Sequence, residues 1–157
     1  MRGAEVHLNV ELAQRAGLYV DDGIWVDEYL RTTAPDVYAA GDVASFHNPS
    51  LGQRRRFEHE DNANAMGRAA GRNMAGALEK YHYLPYFYSD LFDFGYEAVG
   101  EMDPAAEQIM EWKRPFEQGT IYYVRRGRVR GVLYWNDFGQ VDAGRALIAG
   151  QRVPAMA

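Results

Sequence analysis

The sequence predicts an α+β fold in which a βα segment precedes an antiparallel sheet closed by a helix. Three observations predict it. Small residues recur at helical spacing between Asp61 and Lys80, the chain turns aromatic at Tyr81, and four short alternating stretches follow before a last helical pattern. With 157 residues, 47% of them hydrophobic, the chain can bury a sizeable core.

Asn9 to Ala16 reads as a short helix with Gly17 at its C-terminal cap. Leu18 to Val20 and Ile24 to Val26 are extended pieces around Asp21-Asp22-Gly23, a hairpin signal. Arg31 to Asp36 is a loop because Pro35 biases Ala34 away from helix, and Val37 to Ala40 reads as a buried parallel strand ending at Gly41. From Asp61 to Lys80 a helix places Ala63, Gly67, Gly71 and Ala75 on one face. Glycine inside a helix costs about 1 kcal/mol relative to alanine, so a closely packed neighbour is expected against that face.

A boundary is expected near Lys80, since eight aromatic residues lie between Tyr81 and Tyr96. Strands are expected at Tyr96 to Glu101, Gln108 to Lys113, Thr120 to Arg125 and Val129 to Trp135. The last two flank a turn at Arg126-Gly127-Arg128, and Gln140 to Ala149 forms the closing helix.

Twenty-two acidic against 17 basic residues give a formal charge of −5, which opposes binding to nucleic acid. The absence of cysteine excludes disulfides, thiolate metal sites and thiol catalysis within these residues, and makes a cytoplasmic address the expectation. No membrane span or signal peptide is expected. His7, His47 and His82 show no ligand spacing, so no metal is assigned. The basic runs Arg54-Arg55-Arg56 and Arg125 to Arg130 read as solvated surface, or as a docking patch for a small acidic carrier.

The most informative segment runs from Arg31-Thr32-Thr33-Ala34-Pro35-Asp36 through Val37-Tyr38-Ala39-Ala40 to Gly41-Asp42. Small residues there leave room for a ligand at the backbone, and Asp42 is read as an acceptor at a strand's carboxyl end; the alternative is that Asp42 caps a turn. This string resembles the second FAD-binding motif of the two-dinucleotide-domain flavoprotein reductases. Arg56-Phe57-Glu58-His59-Glu60-Asp61-Asn62-Ala63 is similar to the flavin-contacting segment of the same enzymes. Pro85-Tyr86-Phe87-Tyr88-Ser89-Asp90 resembles the start of the C-terminal domain in the ferredoxin/rubredoxin reductase and apoptosis-inducing-factor branch.

The resemblance implies that residues 1–80 are the closing βα segment of a Rossmann-like FAD domain and residues 81–157 a C-terminal reductase domain. It implies that Asp42 binds the ribitol hydroxyls, and that backbone N–H groups at Gly41 and Asp42 face the pyrophosphate. Glu58 and His59 match the pair at the flavin turn, and Tyr88 matches an aromatic beside flavin and nicotinamide. For His59 and Tyr88 the alternatives are a solvated helix-start histidine and a core aromatic. Physics supports the second segment independently, since a helix start near Asp61 favours the negative charge of a reduced flavin.

No Gly-x-Gly-x-x-Gly occurs, so the adenine half of the FAD site and the nicotinamide domain are expected to lie outside this sequence. The chain is thus expected to be the C-terminal part of an FAD-dependent NAD(P)H oxidoreductase. Alone it should be inactive and should not retain FAD. Its expected partners are a ferredoxin, rubredoxin or other small electron carrier, its missing N-terminal part, or a second copy. The other reading is a cofactor-free interaction or dimerisation module.

Overall fold

A computed structural model describes residues 8–150, so His7 lies outside the described residues. The fold is α+β. Two compact units, Met1–Tyr83 and Leu84–Ala157, divide the chain.

In the first unit, helix α1 (Glu11–Arg15) ends as expected at Gly17, where Gly17 N–H donates to the Gln14 carbonyl and Leu18 N–H to that of Ala13. Strands β1 (Val20–Asp21) and β2 (Gly23–Trp25) pair antiparallel around Asp22, again as the sequence predicts. β3 (Ala44–Asn48) pairs parallel with β2 and antiparallel with β4 (Gln53–Arg55). Helix α2 (Glu60–Met74) follows. The core gathers Val26, Leu30 and Met66 with Phe46, whose ring meets Phe57 at 5.8 Å and Tyr81 at 5.2 Å. Tyr81 therefore packs with this unit.

Three expectations for this unit are corrected. Val37 to Ala40 is not a sheet strand. Asp36, at φ 60°, turns the chain back so that Tyr38 bridges antiparallel to Arg31, and Val37 is 41% exposed. The parallel strand is β3, which begins just after Gly41-Asp42, and its partner β2 comes from this same chain. Helix α2 stops at Met74 rather than Lys80, because Gly76 takes φ 93° and its N–H caps the Asn73 carbonyl, while Ala77 N–H reaches that of Arg72. The buried Asn73 amide then holds the departing chain, donating to the Tyr29 and Glu79 carbonyls and accepting from Glu79 N–H. Finally, among the described residues nothing packs closely on the two glycines of that α2 face. A Cβ at Gly67 or Gly71 would meet no atom within 4 Å.

The second unit is a five-stranded antiparallel sheet in the order β5-β6-β9-β8-β7, one strand more than expected. The extra strand, β5 (Tyr86–Leu91), forms a hairpin with β6 (Phe94–Gly100). β7 (Glu107–Arg114), β8 (Gln118–Arg125) and β9 (Arg128–Trp135) make a meander, with the predicted turn at Arg126-Gly127. Helix α3 (Val141–Gly150) lies on one sheet face so closely that a Cβ at Gly144 would come within 2.7 Å of Val99 Cγ1. Val99, Val132 and Ile148 are fully buried there.

Candidate functional site

Gly41, Asp42, Glu58 and His59 converge in the first unit because two connections meet there: the entry to β3 and the turn from β4 into α2. Gly41 adopts φ 78°, a left-handed conformation that glycine accepts without strain, and its N–H donates to Met66 Sδ at 3.2 Å. A Cβ at Gly41 would sit 3.8 Å from Ala63 Cβ, so the loop rests directly on the first turn of α2. Asp42, next in the chain, is exposed.

His59 is the N-cap residue of α2 and makes no side-chain cap hydrogen bond. The helix start, with acidic Glu60 and Asp61 in its first turn, faces the same region with the positive end of its dipole. Burial depresses the His59 pKa below its usual value of 6.5, against the opposing pull of the Glu58 backbone and of the Asp42 and Asp61 carboxylates. Neutral imidazole is therefore favoured beside Asp42.

Sequence reasoning missed Arg56 as the organiser of this cluster. Its Nε donates to Asp22 at 2.8 Å, while Nη1 donates to Glu58 at 2.8 Å and to the Asp42 carbonyl at 3.0 Å. Burial lowers the affinity of this guanidinium for its proton, but the Asp22 and Glu58 carboxylates outweigh it, so the pKa is raised overall. Arg54, an exposed residue of β4, lays its guanidinium 4.5 Å over Trp25 and donates to the carbonyls of Val26 and Ser45. The Arg54 to Arg56 run thus lies partly at the surface, as expected for Arg54, but two of its three guanidinium groups are engaged within the fold. The one hint in the sequence is that Arg56 immediately precedes the apolar Phe57 and lies two residues before the acidic Glu58.

Tyr88 lies in the second unit, on β5 opposite Glu97, and is 60% exposed. It is not a core residue of that unit. A separate recess of about 560 Å³ in the first unit is lined by Trp25, Tyr29, His47 and Tyr81. Its charged groups are turned onto one another, Arg31 on Asp27 and Lys80 on Glu28.

Residues 6–67, which hold the Gly41-Asp42 loop and the whole Arg56 cluster, match the pyridine nucleotide-disulphide oxidoreductase family. Apoptosis-inducing factor 1 of Dictyostelium discoideum is 40% identical over 129 residues, covering 74% of this chain and 24% of that protein. The ferredoxin–NAD(+) reductase component of the anthranilate 1,2-dioxygenase system of Burkholderia cepacia is 33% identical over 153 residues, covering 97% of this chain and 38% of that protein. The chain belongs to the pyridine nucleotide-disulphide oxidoreductase family. Among solved structures, a chain of the covalent putidaredoxin reductase–putidaredoxin complex superposes with a TM-score of 0.81 at 28% identity, over 91% of this chain and 34% of the other. This family member thus spans between 24% and 38% of the length of these relatives. Among its described residues no helix is long and apolar enough to cross a membrane.

Proposed function

We propose that this chain is the C-terminal part of a flavoprotein oxidoreductase that passes reducing equivalents from NAD(P)H through FAD to a ferredoxin-type carrier. In this reading residues 1–80 complete an FAD-binding domain and residues 81–157 form the C-terminal reductase domain. One observation carries the reading: an exposed carboxylate, Asp42, follows a left-handed glycine that is seated on the start of a helix with no side-chain cap. This donor set fits a ribityl-pyrophosphate cofactor, since a carboxylate accepts from hydroxyl groups and uncapped N–H groups favour negative charge.

Bound there, FAD would accept hydride from NAD(P)H and release electrons to the carrier. Asp42 would hold the ribitol hydroxyls and the Gly41-Asp42 backbone would face the pyrophosphate. His59, kept neutral by burial, would border the flavin without placing a second positive charge beside the helix dipole. Glu58 acts through Arg56, which it pairs, and so fixes the Asp42 carbonyl. Tyr88 would offer an aromatic face to the flavin or nicotinamide. A ferredoxin partner is supported by the names of the relatives, and not by Arg54 and Arg56, whose charges are used internally.

The test is a titration of FAD followed by flavin fluorescence, with this chain alone and with the separately expressed N-terminal part of a homologous reductase. Binding only in the mixture supports the proposal, whereas micromolar or tighter binding by the chain alone contradicts its division of the site. A cofactor-free interaction module is the second reading, favoured by the exposed aromatic rings of the second unit. It predicts no flavin binding in either sample.

A further inference from the structure

The sheet of the second unit carries two tight turns at one end. β5 and β6 are joined by Phe92-Asp93, and β7 and β8 by Pro115-Phe116-Glu117. Tyr96 of β6 and Gly119 of β8 both lie opposite Trp135 of β9, which places the two turns at the same end. Each turn holds a phenylalanine in the left-handed region, Phe92 at φ 57° and Phe116 at φ 61°. Both rings stand in solvent, 105% and 79% exposed.

Phe116 keeps one ring contact, with Trp112 at 5.4 Å, and its carbonyl accepts from Trp135 Nε1 at 3.2 Å, yet most of both rings stays in water. Left-handed backbone is costly for a bulky residue, and an exposed ring gains nothing from burial. At the opposite end of the same sheet the left-handed turn residues are Arg126, at φ 53°, and Gly127, neither of which puts an apolar ring into solvent. Phe138, after β9, is a further exposed ring, seated against Gly95 beside the first turn. Exposed rings gathered this way mark a contact surface.

The charges around the rings select the occupant. Asp90 and Asp93 flank Phe92, whereas Lys113 is bound by Asp137 and Arg114 pairs with Glu117. Four carboxylates thus face two cations, both of them engaged. Surplus negative charge repels an anionic bilayer, and about a twofold axis it would meet itself. It suits arginine, whose guanidinium can stack on an exposed ring and pair with a carboxylate at once.

We propose that this end of the sheet is a docking surface for a protein partner that presents an apolar recess rimmed by arginine and lysine, with Phe92 and Phe116 as its anchors. The proposal is independent of the flavin reading, because it uses the second unit alone.

The test uses the full chain and, as probe, an amphipathic peptide of about a dozen alternating leucine and arginine residues, beside a leucine–glutamate counterpart. Vesicles of phosphatidylcholine with phosphatidylserine and a light-scattering concentration series examine the other occupants. The double variant Phe92→Gly, Phe116→Gly removes the anchors while relieving the backbone, so it should melt no lower than the parent. The arginine peptide should bind the parent and shift the amide resonances of residues 91–94 and 115–118. Its affinity should fall about tenfold in the double variant, as for loss of anchor residues. Asp93→Lys should weaken it about threefold, the scale of a rim charge pair. The proposal is overturned if the arginine peptide does not bind, if the double variant binds it as the parent does, or if the glutamate peptide binds better. Vesicle partition, or a dimer lost in the double variant, would overturn it equally, in favour of a membrane or a second copy.

Discussion

Arg56 closes over Gly23: a Cβ at Gly23 would lie 2.3 Å from Arg56 Cδ and 2.5 Å from the Val43 carbonyl oxygen. Through this contact the β1–β2 turn, the Asp42 loop and the entry to α2 are held by one side chain. Gly23→Ala forces a methyl group against backbone at φ 86° and should lower stability by about 2 to 4 kcal/mol. Urea denaturation measures it, and an unchanged midpoint would show that Arg56 does not clamp this turn.

Asp42→Ala separates a binding role from a structural one. The residue is exposed, so the stability of the chain should change by no more than about 0.5 kcal/mol. In a mixture reconstituted with the N-terminal part of a homologous reductase, FAD affinity should fall by about 1.5 to 3 kcal/mol, the range for hydrogen bonds to a charged group. Equal FAD affinity in variant and parent would remove Asp42 from the site.

The depressed pKa of His59 makes stability depend on pH with a definite sign. As pH falls through 6.5 the unfolded chain takes up a proton that the folded chain still refuses, so stability declines until the folded histidine titrates too. This contribution is fully present above pH 6.5. His59→Gln should flatten that part of the profile, which denaturation midpoints between mildly acidic and neutral pH would reveal.

Gly67→Ala and Gly71→Ala meet open space on a helix and should each stabilise the chain by about 1 kcal/mol. Thermal unfolding reads this directly. A loss of stability instead would place a neighbour against this face in solution. If the stabilised variants then fail to assemble with an N-terminal part, the small residues have their reason in that assembly.

Much of the second unit was legible because its rules are local. Arg126-Gly127 announced its turn, and alternation located β6 to β9, each within a few residues. β5 escaped because Tyr86-Phe87-Tyr88 is aromatic on both faces and shows no alternation. In the first unit the decisive constraints are long-range. Val37 to Ala40 has the composition of a buried strand, but the left-handed Asp36 folds it back on Arg31, leaving Ala44 to Asn48 to pair with β2. Charge counting told only part of the story: Arg54 is exposed as expected, but Arg54 and Arg56 are engaged by carbonyl groups and by Asp22, which only the fold brings near. The residues of the Gly41-Asp42 and Glu58-His59 segments could be named from sequence. Their shared anchor, Arg56, could not, because it acts through a turn more than thirty residues upstream.

The pairing of β6 with β9 bears on the order in which the second unit folds. β7, β8 and β9 join through successive short turns, and β5 joins β6 in the same way, so two pieces can assemble from sequence neighbours. Only the β6–β9 seam requires the closure of a long loop, and this is where the entropic barrier concentrates. Tyr96 and Trp135 stack across that seam at 6.3 Å. Their contact therefore forms when the hairpin docks on the meander, and changes at the seam alter the folding rate where changes at the turns alter mainly the unfolding rate.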